Sequence, residues 1–206
     1  MTGRPLLVLF CLLGLAALAR AADAPASPPS PTAQAAPQAA PQADVGPEAG
    51  RDVLLARLAA AADPDEADGI VARIDRLNQH SGSDTGDLLL SRAAAAIDSE
   101  NIEVAQQLLD ALTALQPQWA EAWAARANAD YLGGDPKATF VDLARALADD
   151  PKHLKALADL GAMLEDAGRR DDALRVYQRA LEIAPQWRPA REATDRLRAA
   201  IAGKDL

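Results

Sequence analysis

The chain has 206 residues, half of them apolar by type but only 3% aromatic, and a net charge of −9. A chain this acidic lacks the basic footprint that non-specific nucleic-acid binding needs, so no nucleic-acid partner is expected. Its one cysteine, Cys11, lies in an N-terminal apolar run, and its two histidines, His80 and His153, have no evident metal-ligating or triad partner nearby. No metal, cofactor, small-molecule substrate or catalytic group is therefore expected, and the chain does not read as an enzyme.

Residues 1–21 carry Arg4, an apolar run from Leu6 to Ala19, and then Ala19-Arg20-Ala21. A basic start, a short apolar core and a small-residue exit describe a secretory signal peptide. The run spans 14 residues, short of the ~20 that a membrane-spanning helix needs. Cleavage is predicted after Ala21, leaving a periplasmic or secreted protein of charge −11. The alternative is an uncleaved inner-membrane anchor, the one case in which a membrane would be a partner. Lipid attachment at Cys11 is disfavoured, because Phe10 occupies a place that needs a small residue.

Residues 22–50 are built of Ala, Pro, Gln and Ser and hold 7 of the 14 prolines. Such a stretch has too little apolar surface to order itself and reads as a tether. Residues 51–80 read as a helical pair. Val53, Leu54, Leu55 and Leu58 form one apolar stripe and Ile70, Val71, Ile74 and Leu77 the next, with Asp63-Pro64 as cap and first helical residue between them. The simplest role for the pair is a cap over the apolar flank of the segment that follows; a dimerisation surface is the alternative. Ser81-Gly82-Ser83 breaks the pattern.

From residue 84 to 204 an internal period takes over. Pro117, Pro151 and Pro185 lie 34 residues apart, dividing the chain into units at 86–119, 120–153 and 154–187. The third unit is the clearest. Leu154, Leu157, Leu160 and Leu164 make one helical stripe, Gly168 sits where a helix C-terminus favours a left-handed residue, and Asp171-Asp172 open a second helix. That helix carries Ala173, Val176, Tyr177, Ala180 and Leu181 inward until Pro185 stops it. Gly161 interrupts the first stripe at a cost of about 1 kcal/mol against alanine, which predicts the close approach of another helix backbone. In the second unit Trp123, Ala127, Gly134, Ala146 and Pro151 repeat the scheme, with Asp135-Pro136 as cap and helix start. The first unit is degenerate and has Glu100 at the glycine turn. Residues 188–202 carry Ala190, Ala193, Leu197 and Ile201 at helical spacing and read as a solvating terminal helix.

This scheme resembles the tetratricopeptide repeat, a helix-turn-helix unit with a small–large residue code and a proline near its end. Leu160-Gly161, Leu164, Gly168, Ala173, Tyr177, Ala180 and Pro185 carry the resemblance most fully. It implies an all-α solenoid of three repeats, with the helical pair before it and a capping helix after it. It further implies a concave groove lined by the first helix of each unit. The groove places hold Asp87, Leu90, Ala94 and Ile97; Glu121, Ala124, Asn128 and Tyr131; and Lys155, Ala158, Ala162 and Glu165. Of these, Leu90, Ala94, Ile97, Ala124, Asn128, Tyr131, Lys155, Ala158, Ala162 and Glu165 are the candidate partner-binding residues. A floor of small apolar side chains with acidic edges suits an amphipathic helix or an extended apolar segment, with Asn128 and Tyr131 as polar handles. Chaperone-binding members of the family grip a terminal carboxylate; at the matching places this chain has Leu90, Ala94, Ala125, Lys155 and Asp159, so only the lysine is kept.

Arg92 and Arg126 lie 34 residues apart at a place normally held by a packed leucine. A buried guanidinium must be paired, and Asp130 or Asp142 is the expected acid. Trp119 and Trp123 are expected to wedge between units. Charge is uneven, at −10 over residues 51–150 and +3 over 169–206. The reading that follows is a non-enzymatic periplasmic scaffold or adaptor, with a protein or peptide in its groove and a place in envelope-complex assembly. The alternative is a structural or self-associating module that uses its caps and charged ends.

Overall fold

A computed structural model describes residues 47–203, and no strand occurs among them. The stretch read as a signal peptide and most of that read as a tether lie outside the described residues. The helices are α1 (Pro47–Ala59), α2 (Pro64–Asn78), α3 (Asp84–Asp98), α4 (Ile102–Leu115), α5 (Ala120–Leu132), α6 (Pro136–Asp149), α7 (Leu154–Asp166), α8 (Arg170–Ile183) and α9 (Arg188–Ala202). α1 begins inside the stretch read as tether. No described helix is long and apolar enough to cross a membrane.

Local chemistry explains the boundaries. Asp63 accepts the Glu66 N–H at 2.9 Å ahead of Pro64, and Asp135 accepts the Lys137 and Ala138 N–H groups, each at 3.0 Å, ahead of Pro136. Each aspartate satisfies backbone donors that the first helical turn leaves free. Glu100, Gly134 and Gly168 hold the same place in the three units, and all have positive φ, at 58°, 79° and 72°. The turn thus imposes a left-handed residue even where the sequence supplies a glutamate.

Packing runs hairpin by hairpin, α3 on α4, α5 on α6 and α7 on α8, with α4–α5, α6–α7 and α8–α9 joining the units. Gly161 answers to a neighbour other than the expected backbone. A Cβ built there would lie 2.6 Å from Tyr177 Cζ, so the glycine makes room for an aromatic ring. The other units solve the same contact with Ala93 and Leu109, and with Ala127 and Leu143, all of them buried.

The helical pair departs from expectation. α1 packs on α8 and α2 on α9, so among the described residues neither helix of the pair covers the flank of the first unit. Polar contacts place α2 across the N-terminal ends of the inner helices. Trp119 Nε1, at the start of α5, donates to Asn78 O at 3.0 Å, and the Arg188 N–H, at the start of α9, donates to Asp68 at 3.3 Å. Arg188 also pairs with Asp65, and Arg51 of α1 with Asp150. Asp68 of α2 thus meets the positive end of α9, a favourable arrangement. One core therefore joins α1 and α2 to α5–α9, while a second holds α3, α4 and the side of α5 that carries Ala122 and Ala129.

Candidate binding groove

α3, α5 and α7 present their inner faces side by side. Leu90, Ala94 and Ile97 of α3, Asn128 of α5 and Lys155 of α7 line one cleft of about 640 Å³. Asn128 also lines an adjoining cleft of about 140 Å³ with Tyr131 and Ala162, so Leu90 and Ala162 belong to one connected surface. The structure thus brings most of the candidate residues together. Ala124 is the clear exception. It is 0% exposed and offers no surface to a ligand, because α5 turns that face into the core. Ala158 is half-buried against the same core. Glu165 is engaged by Arg196 of α9 at 2.9 Å, at the end of the inner face that α9 covers.

The electrostatics of the groove are acidic and largely satisfied from within. Asp87 accepts the Ser81 N–H at 2.8 Å and the Ser81 hydroxyl at 2.7 Å, with His80 Nδ1 at 3.1 Å. The Ser81 backbone bond, with help from these two side chains, holds its carboxyl below the usual aspartate range. Lys155 Nζ donates to Asp159 at 2.6 Å. Tyr131 donates its hydroxyl to Asp166, which raises the phenol above its ordinary value. At the rim, burial, together with Glu121, pushes the Asp75 carboxyl up, against the opposing pull of His153 and Lys155.

Both histidines have acidic partners that sequence reading did not find. His153 is 1% exposed, accepts the Ala156 N–H through Nδ1 at 3.2 Å, and meets Glu121 through Nε2 at 3.0 Å. It caps α7 and ties that helix to α5. The signal lay in the period, since His153 ends the unit in which Glu121 holds the second place. Among the described residues no cluster of three or more His, Cys, Asp or Glu side chains is arranged to hold a metal ion.

Arg126 makes the expected pair with Asp142, through bonds of 2.6 and 2.7 Å, and also reaches Asp110 at 3.3 Å and Thr113 at 3.1 Å. Its guanidinium stacks 4.6 Å over the Trp123 ring. Arg92 is exposed.

Paired antiparallel helices of matched length, stacked so that alternate helices line one face, define a helical-repeat protein. The tetratricopeptide repeat family model matches residues 132–201. A TPR repeat-containing protein of Rhizobium etli is 32% identical over 161 residues, covering 78% of this chain and 79% of that relative. The chain belongs to the tetratricopeptide repeat family. Among solved structures, the Sgt2 TPR domain from Aspergillus fumigatus has a TM-score of 0.56 at 21% identity, covering 60% of this chain and 83% of that one. The first TPR domain of Spaghetti (RPAP3), bound to the HSP90 peptide SRMEEVD, has 0.55 at 19%, covering 58% and 95%. MamA has 0.54 at 20%, covering 67% and 80%. These three share the fold.

Proposed function

We propose that the protein is a non-enzymatic scaffold that holds a peptide or protein partner along the inner faces of α3, α5 and α7. The observation that carries this is the single connected surface running from Leu90 through Asn128 to Ala162. Its floor is apolar, while Asp87, Asp98 and Glu121 supply the acids along the larger cleft. That chemistry favours an amphipathic helix or extended segment with apolar anchors and a basic flank. A terminal carboxylate suits the groove poorly, since the one matching cation, Lys155, is already held by Asp159. The basic start, short apolar run and Ala-Arg-Ala exit of residues 1–21 support export, with cleavage after Ala21, to the periplasm or beyond. A role in envelope-complex assembly accords with that location, and membrane contact would follow only if the segment were retained.

Self-association through the charged ends has less to draw on. Arg188 is engaged by Asp65 and Asp68, and Arg196 by Glu165, within the same chain. In-cell crosslinking from a photoreactive residue at Ala94, with a control at exposed Arg179, tests the groove. The expected result is a partner captured from Ala94 alone and lost in Asn128→Arg, without a change in melting temperature. Capture only from probes at Arg191 or Arg198 would overturn the groove reading.

A further inference from the structure

Arg92 and Arg126 occupy the same place in successive units, yet they meet different surroundings. Arg126 is received from two sides, by Asp142 of its own unit and by Asp110 and Thr113 of α4 in the unit before. Arg92 has neither, since Leu108 stands where Asp142 would be and α1 and α2 pack elsewhere. It makes no ion pair among the described residues. Its neighbours are side chains that other units bury. Leu88 is 51% exposed, whereas Ala122 and Ala156 at the same place are 0% exposed. Ala95 is exposed where Ala129 and Met163 are buried. On α4, Val104, Leu108, Ala111 and Leu115 recur at three- and four-residue steps, with Val104 39% and Leu115 53% exposed.

The geometry points to this open end as a docking surface for one helix of a partner protein, apolar along one face with a carboxylate set to meet Arg92. The occupant's chemistry can be read from the α4–α5 contact in this same chain. There α4 buries Leu109 and Leu112 in one core with Ala122 and Ala129, and presents Asp110 to Arg126. A second copy fits less well. Its far end, α9, exposes Arg191, Glu192, Asp195 and Arg198 rather than an apolar row.

The probe is a fluorescein-labelled peptide of residues 101–117, stapled between places 104 and 111 to hold its helix and titrated against the full chain. Saturable binding is expected, weakened about tenfold or more by Arg92→Glu and regained when the peptide carries Asp110→Arg. Asn128→Arg in the groove is expected to leave this binding unchanged, which separates the surface from the groove. Absence of saturable binding, indifference to Arg92→Glu, or failure of the charge swap would overturn the proposal. So would a dimer in sedimentation that is lost in Leu88→Glu, which gives the face to a second copy. Crosslinks from a photoreactive residue at Leu88 into residues 1–46 of the same chain would also end it. Because Leu88 and Arg92 are exposed, both variants are expected to melt as the parent does.

Discussion

The Arg126–Asp142 pair is the sharpest place to test the physics of the repeat, because the chain carries its own apolar control. In the third unit the same two places hold Leu160 and Val176. The Asp142 side chain is 2% exposed and that of Arg126 24%, so the two single replacements are unequal. Arg126→Leu strands a buried carboxylate and should cost about 3–5 kcal/mol. Asp142→Val leaves Arg126 with Asp110, Thr113 and the Trp123 face, and should cost about 1–3 kcal/mol. The double variant places the third unit's apolar pair in the second. It removes both desolvation penalties and loses a stacking contact worth about 0.5–1 kcal/mol, so it should fall within about 1 kcal/mol of the parent. Urea unfolding of the four proteins, compared at constant m-value, measures the cycle. If the single costs simply add, so that the double is the least stable of the four, the reasoning is wrong.

Gly161→Ala should destabilise by about 1–3 kcal/mol through overpacking on Tyr177, despite a helix-propensity gain near 1 kcal/mol. Adding Tyr177→Leu should recover most of that loss, because the first two units already use the alanine–leucine combination; chemical denaturation of the single and double variants checks it. Glu100→Gly should stabilise by about 0.5–1 kcal/mol, since a glutamate at φ 58° bears a left-handed strain that glycine does not, and a thermal melt lower than the parent's would refute it. The raised Asp75 carboxyl implies that its site stabilises the fold below the ordinary aspartate range and loses that contribution as pH rises through the raised value. Asp75→Asn should therefore raise the melting temperature at pH 7 and narrow its advantage toward pH 4; a variant less stable than the parent at pH 7 would count against that sign.

The small–large code of the units was legible because it is local. Ala93 against Leu109, Ala127 against Leu143 and Gly161 against Tyr177 face each other within single hairpins; the sequence announced a close approach at Gly161, but as a helix backbone and not as the Tyr177 ring. Which residues share the inner face came from the resemblance to the repeat family, and Leu90, Ala94, Ile97, Asn128 and Lys155 line one cleft. At two other places the reading failed because the deciding neighbour lay outside the hairpin. Ala124 holds a groove place by its number but is wholly buried. His153 carries no sign of Glu121 unless the period is used to fold the unit back on itself.

By itself the sequence determined the repeat, its turns and its aspartate caps. Each follows from residue size, proline, glycine and aspartate acting over a few positions, and such short-range rules hold wherever the unit is placed. Only the tertiary structure decided where the helical pair goes. An amphipathic stripe says that a face must be covered and is silent on what covers it. Trp119, Asp150 and Arg188, scattered along the chain, form one edge only after stacking, and that edge, not the flank of the first unit, holds α1 and α2.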